Sequence, residues 1–547
     1  MSDLDDILED ADANEFDEDN EDKEYGLIER NRAAPTNNNA VSSSYGRVAT
    51  LIFGTDVQQD EIKRIMLLAS ALFAIEMSDG IFHSVQDPIF GAVVGLNFKP
   101  LAMAISFAAT IVILCFYSKV VGCYSRRHDL FGFFANFFFG LFMLNALFLI
   151  HPSIGALGAR APDPLRILGW FTFGAIDQFG IIMINLFWSF TNSVVPLSSA
   201  KATYGIVFAI GQLGNLAGSL VFHFFGSVVG ISACFVLGIM SILLMQSVMN
   251  KYVELYGAAP AIESSSSCCA SCCGCFEGLW LILRHNYIKG ISVITCLYLI
   301  QLSVVSKTAE YLAKDHFSQV YGCEQGQSCY NSYTGIHSLT YEAEKHVESL
   351  VYYVNLLTRL VTILFPLFGS RAIISRYGVP KSLLLFPVIC LFTSLILIIY
   401  PPNLYMVVLC LLLLEGASAA INTPTKEMLY IPTGIAIQYK ARIWIESIGY
   451  DSTQFLGYAF TWKTSGGDTT FATTAGTLST KGGLLCFALA LISFAVARCL
   501  YNEFEQKLTS SQPGDREDSF INYQNVPLNQ DDDERAEEYD VELPSLS

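Results

Sequence analysis

Residues 422–432 read NTPTKEMLYIP and place Lys426 and Glu427 between Pro424 and Pro432. They follow LCLLLLEGASAAI, a run apolar enough for lipid apart from Glu415. A cation and a carboxylate inside such a run are costly to desolvate, so each calls for a partner, water or a ligand. Other ionisable groups interrupt comparable runs: Glu76 and Asp79 in FAIEMSDGIF, Asp177, His223 in VFHFFG, Arg359, Glu446 and Asp451. Glu76 and Asp79 are spaced to share one face of a helix. This mixture of signs suits an anion held together with its counter-charges, with carboxylates also able to carry a coupling proton. Each group has a plainer reading. His223 reads as a hydrogen-bonded packing residue, Arg359 with an acid as a buried structural pair, and Lys201 and Lys426 as positive anchors at the ends of spans.

The elements that must position these groups are helices in lipid. The 547 residues are 52% hydrophobic and only 15% charged, with a mean hydropathy of +0.43, far from the surface composition of a soluble protein this long. About twelve stretches of transmembrane length recur, from one beginning near Ile65 to one near Leu484, with the eleventh near Ile443. The expected fold is all-α: a polytopic membrane protein of about twelve helices in two six-helix halves, the arrangement of a transporter built from two halves. The net charge of −18 comes mostly from the ends, MSDLDDILEDADANEFDEDNEDKE and QDDDERAEEYDVELPS, which are too polar to build a core. The division read from these patterns is an acidic tail over 1–60, a first half over 61–250, a Ser/Cys-rich cytosolic linker over 251–280, a second half over 281–502 and a second acidic tail over 503–547.

Basic residues orient the chain. Lys119, Arg126, Arg127, Lys251, Arg371, Arg376, Lys381, Lys426 and Lys440 fall on the side of the tails, a modest excess that places both tails in the cytosol. The acidic N-terminus has the character of neither a signal peptide nor a transit peptide, so the first span is expected to direct insertion. The two loops SKVVGCYSRRHDL and GSRAIISRYGVPKS are short, basic and equivalently placed in the two halves.

The 15 cysteines divide by compartment. SSSSCCASCCGCF gathers Cys268, Cys269, Cys272, Cys273 and Cys275 in the linker, where reversible palmitoylation, a metal site and no role at all remain alternatives. Adjacent cysteines strain tetrahedral ligation and no second pair follows, so no metal is expected. Cys323 and Cys329 in YGCEQGQSCY are placed to close a short disulfide if their side is oxidising.

NTPTKEMLYIP resembles the DPTKEMAYIP signature of the ATP/ADP translocases of plastids and obligate intracellular bacteria. FWSFTNSVVPLSSAKATYGIVFAIGQLGNLAGS resembles the family's FW-x-FAN, EAKRFYP and G-x-x-x-N-x-x-x-x-SG stretch, and a weaker likeness runs from the first span to the eleventh, outside the tails. The resemblance implies a major-facilitator-like nucleotide transporter working by alternating access, most simply ATP:ADP antiport. It implies substrate-facing roles for Lys426, Lys201, Arg359, Lys440, Arg442, Asn192 and Tyr430, with Tyr430 offered to a base. Glu427, Glu446, Asp79, Glu76 and Glu415 are the implied counter-charges or proton carriers, with Glu427 holding Lys426 between substrates.

The sequence departs from the family where the first-span RDTKD becomes SDGIFHSVQD, which keeps acids and no base. EAKRFY becomes SAKATY, and KGKAAID becomes YKARIWIE. Each lost charge-assisted contact forfeits roughly 1.5–3 kcal/mol, so a less charged cargo is the alternative: another phosphorylated or anionic metabolite, moved with protons. A non-transporting receptor with the same fold is the other alternative. No Walker loop, GxSxG or HExxH is present, so an enzyme is not expected. The expected partners are the bilayer and a small phosphorylated solute, with no cofactor, no nucleic acid and a monomeric protein.

Overall fold

Long apolar runs with few breakers have one solution in lipid, because every backbone N–H and C=O must be paired within its own segment. The computed structural model describes residues 59–124, 127–151, 154–155, 162–257, 276–321, 329–331, 336–400, 403–464 and 471–510. Residues 1–58 and 511–547 of the expected tails, the linker cysteines and Cys323 lie outside the described residues, as does any pairing of Cys323 with Cys329, while 503–510, read as tail, continue the last helix.

The first six helices are α1 (Gln59–Val93), α2 (Lys99–Cys123), α3 (Arg127–Ile150), α4 (Ile167–Val194), α5 (Leu197–Val229) and α6 (Ile231–Tyr256). A short helix α7 (Glu277–Arg284) then leads into α8 (Asn286–Val320). A small antiparallel hairpin, β1 (Cys329–Asn331) with β2 (Ile336–Ser338), precedes α9 (Tyr341–Phe365). The rest are α10 (Arg371–Ile399), α11 (Leu404–Ala417), α12 (Thr423–Tyr430), α13 (Arg442–Trp444), α14 (Tyr450–Thr464), α15 (Phe471–Thr477) and α16 (Gly483–Ser510).

Among the described residues, ten stretches are long and apolar enough to cross a membrane. One of them, Tyr341–Ile399, is 59 residues long and breaks at Gly378, whose φ of 76° is left-handed. Pro380 disfavours helix at the residue before it, and glycine alone tolerates the conformation that ends the incoming helix. The expected loop GSRAIISRYGVPKS is therefore helical up to this break. The expected eleventh span is helical from Ile437 to Thr464 but carries Lys440, Arg442, Glu446 and Asp451. With these two, the helical segments reach the expected about twelve, and the chain is an all-α, integral, multi-pass membrane protein.

Five π-helical turns occur among the described residues, Pro366–Ser370, Ser418–Asn422, Ile437–Ala441, Ile445–Gly449 and Leu478–Gly482. All follow α8, and such turns concentrate where a helix must aim side chains at a site. The proline-bounded break expected around Lys426 is not a break. Pro424 lies within a helix that continues from the preceding π turn to Tyr430, and the Ala420 carbonyl four residues before it, which a Pro424 N–H would otherwise meet, accepts from the Ser370 hydroxyl.

Helix α1 is the hub of the first six, packed on α4, α5 and α6. Phe82 of α1 meets Phe142 of α3, Phe179 of α4 and Phe235 of α6 at ring-centroid distances of 4.4, 5.4 and 5.1 Å. Helices in lipid associate by close packing, which small residues permit. In GQLGNLAGS, a Cβ on Gly214 would strike the Phe73 carbonyl of α1 and one on Gly218 the Met77 carbonyl. This close approach sets Asn215 of α5 beside Glu76 and Asp79 of α1.

Candidate functional site

The ionisable residues picked out by sequence form three groups. The first lies at the end of the bundle where α4 finishes and α5 begins, the end adjoining the tails. Glu427 and Arg442 are each 2% exposed and form a two-pronged pair, Nε to Oε2 at 3.0 Å and Nη2 to Oε1 at 2.8 Å. Helix α4 completes it: Asn192 Nδ2 donates to Glu427 Oε2 at 3.0 Å, and Arg442 Nη1 donates to the Asn185 carbonyl and side-chain oxygens at 2.9 and 2.7 Å. Tyr204 of α5 donates to Asn192 Oδ1 at 2.9 Å. Ser189 of α4 donates to the Gln438 carbonyl at 2.7 Å. Elements before and after the linker are thus joined at this end by buried, fully polar contacts, the kind that low dielectric strengthens.

The second group is Lys426 with Glu446, Nζ to the carboxylate oxygens at 2.8 and 2.9 Å. The expected pairing of Lys426 with Glu427 is corrected. Adjacent residues on a helix point about 100° apart and do not face each other, so Glu427 turns to Arg442 and Lys426 to Glu446. Lys440 also has a partner away from Lys426, Glu277 of α7 at 2.6 Å. Tyr430, offered in sequence to a base, is fully buried with its ring 5.9 Å from the Arg442 guanidinium. Lys201 and Glu415 are half-buried and have no ion-pair partner among the described residues.

The third group lies deeper, between α1, α5 and α9. Arg359 Nη1 donates to Asn215 Oδ1. Asn215 Nδ2 faces Glu76 Oε2 at 3.2 Å and Asp79 Oδ2 at 3.4 Å. Asn215 therefore stands between the base and the acids, where the sequence suggested a direct pair. His83 Nδ1 is 3.2 Å from Asp79 Oδ1, and its Nε2 is 3.9 Å from Asp177 Oδ1. Asp177 in turn accepts from Gln86 at 2.7 Å and Ser106 at 2.6 Å.

A cavity of about 560 Å³ runs from Arg359 towards the end away from the tails, lined by Ser84, Ser219, His223, Tyr352 and Asn355 among others. A second, of about 580 Å³, shares Tyr352 and Asn355 and is lined by Glu310, Lys314, Glu344 and Glu348. His223 is corrected as well: it is exposed and stacks on Tyr352 at 6.2 Å in the cavity wall, where the sequence favoured internal packing. Among the described residues no cluster of His, Cys, Asp and Glu could hold a metal ion.

Sequence reasoning missed Asn215, Asn185 and His83. The first two are neutral amides, and hydropathy does not set them apart from loop residues. His83 follows Asp79 at helical spacing, and that signal was available.

No protein-family model matches the chain. Over 179 residues, 29% of its length, the chain is 25% identical to the ADP,ATP carrier protein 1 of Rickettsia typhi, and to the same degree to that of Rickettsia prowazekii. The chain is weakly homologous to these carriers. The match spans 35% of the relatives' own length. The backbone is similar to a bacterial homologue of the iron transporter ferroportin in its outward-facing state, with a TM-score of 0.57, 11% identity and coverage of 81% of this chain and 99% of that one. It is also similar to FucP in the outward conformation (TM-score 0.50, 17% identity, 80% and 98% coverage) and to the proton:xylose symporter XylE (0.50, 13%, 80% and 96%). The fold is that of the major facilitator transporters.

Proposed function

We propose that the chain is a secondary-active transporter of a phosphorylated anion, working by alternating access between its two halves with both tails in the cytosol. The observation that carries the reading is an asymmetry. The tail-facing end is closed by the Glu427–Arg442–Asn192–Asn185 network, while a 560 Å³ cavity floored by Arg359 opens from the other end. Such a cavity beside a sealed end is what one half-cycle of alternating access requires. The finer reading is nucleotide exchange, ATP against ADP, supported by the partial homology to the Rickettsia carriers. Arg359 would meet the anion first, with Lys426 and Lys201 reached as the halves rearrange.

A specific observation favours a second reading. Arg359 is linked through Asn215 to Glu76 and Asp79, so two carboxylates share the surroundings of one guanidinium. A polyphosphate entering there meets repulsion unless an acid is protonated, which suits a smaller anion carried with protons. Uptake of labelled ATP, ADP and AMP by liposomes containing the purified protein separates the two. Uptake accelerated by internal ADP establishes exchange. Uptake of a phosphorylated solute only under a pH gradient establishes proton coupling, and no uptake of any anion under either condition overturns the transport reading.

A further inference from the structure

Three bases at the tail-facing end are paired with carboxylates, and Arg127 is not. Arg442 has Glu427, Lys426 has Glu446 and Lys440 has Glu277. Arg127, at the start of α3, is 1% exposed, and none of its three side-chain nitrogens has a hydrogen-bond acceptor among the described residues. Its guanidinium instead lies 4.5 Å from the ring centroid of Tyr439, which belongs to the π turn before α13. Two further buried groups on α2, the Tyr117 hydroxyl and Ser118 Oγ, also lack hydrogen-bond partners among the described residues.

A buried guanidinium is normally matched by a carboxylate or a phosphate, and an aromatic face replaces only part of what water supplied. Arg127 belongs to the first six helices and Tyr439 to the later ones, so any movement that opens the tail-facing end separates them. The freed guanidinium then stands at the mouth of the new opening with five N–H donors in a fork that fits phosphate oxygens.

We infer that Arg127 is a phosphate-binding residue held in reserve. The Tyr439 ring caps it while the tail-facing end is closed, and it is presented to a phosphate group when that end opens. The inference deepens the transport reading and rests on it for the opening movement. Phosphate chemistry has two sources here, a soluble anion and a lipid headgroup.

The test is binding of pyrophosphate to the full-length protein in phosphatidylcholine nanodiscs, with folding checked by thermal unfolding. R127Q is expected to bind about tenfold or more weakly than the unsubstituted protein, and R127K to fall between them. Y439L keeps the guanidinium and removes its cap, so it is expected to bind at least as tightly as the unsubstituted protein. It keeps the proposal falsifiable should R127Q fail to fold. Loss of pyrophosphate binding on adding phosphatidylglycerol would assign the site to lipid phosphate, and unchanged binding to a soluble anion. Equal binding by R127Q and the unsubstituted protein, no binding by either, or weaker binding by Y439L would overturn the inference. Nucleotide uptake is scored on the same preparations. Arg127-dependent binding without uptake keeps this inference and removes nucleotide transport; uptake with Arg127-independent binding does the reverse.

Discussion

Arg442 donates two parallel hydrogen bonds of 2.8 and 3.0 Å to Glu427 with almost no exposure to solvent, Asn192 of α4 donates a third to the carboxylate, and Asn185 of α4 accepts from the remaining guanidinium nitrogen. A buried ion pair held in this way is costly to break from one side, because the survivor is left charged and dry; the usual loss is about 3–5 kcal/mol. Among the described residues its hydrogen bonds to the first six helices run to α4, the contact a catch at this end would need.

E427Q is expected to lower the thermal midpoint and to expose the tail-facing end. A cysteine introduced as S189C reads the second effect, since Ser189 is fully buried there. Labelling by a membrane-impermeant maleimide from the tail side should rise in E427Q and R442Q, whereas in E427L/R442L much of the stability should return. Unchanged labelling in both single variants would show that the pair is structural and does not hold the end shut.

For Arg359, the expected effect falls on transport more than on stability. Its guanidinium is half-buried at the cavity floor, and its described polar contact is the neutral Asn215. R359Q should reduce anion uptake about 10-fold or more, the equivalent of one charge-assisted hydrogen bond of roughly 1.5–3 kcal/mol, with little change in thermal midpoint. E76Q separates the two modes of transport. If a proton travels on the acids, E76Q loses stimulation by a pH gradient and keeps exchange of internal for external solute. Wild-type uptake by R359Q would remove this residue from the substrate path.

Lys426 and Glu446 supply a double-mutant cycle. K426A alone strands Glu446, and E446A strands Lys426, so each is expected to cost more than the pair removed together. A coupling energy of about 0.5–3 kcal/mol, read from thermal unfolding, fits the 2.8 Å contact. Coupling of Lys426 to Glu427 in the parallel cycle should be smaller. The reverse order would mean that Lys426 turns between the two carboxylates.

These pairs also show what a sequence can and cannot carry. Spans are legible because lipid imposes one length and one composition, and the acids inside them stand out because each is costly there. Glu76, Asp79, Glu427 and Glu446 are legible that way, and so is the base Arg359, for the same reason. Partner choice is not legible, because it depends on helix rotation and on which helices meet. Lys426 and Glu427 are neighbours in sequence and point to different carboxylate and guanidinium partners in space. Asn215 joins Arg359 to two acids and is silent in hydropathy, and Arg127 reads as an ordinary positive anchor in a short loop until its burial is known.

The glycines of α5 give the last prediction, which concerns how the site is held. A Cβ on Gly214 would come within 2.9 Å of the Phe73 Cα besides striking its carbonyl, and neither backbone can yield without moving α1 against α5. G214A is therefore expected to destabilise by about 1–3 kcal/mol, as overpacking does, and to displace Asn215 from Glu76 and Asp79. Gly132 of α3 is the control, because a Cβ there meets nothing within 4 Å. G132A should be neutral or stabilising by about 0.5–1 kcal/mol through helix propensity alone. Thermal unfolding of both variants, with anion uptake alongside, distinguishes packing from propensity. Equal effects of G214A and G132A would show that the α1–α5 approach is looser than the structure has it, and that Asn215 is not positioned by it.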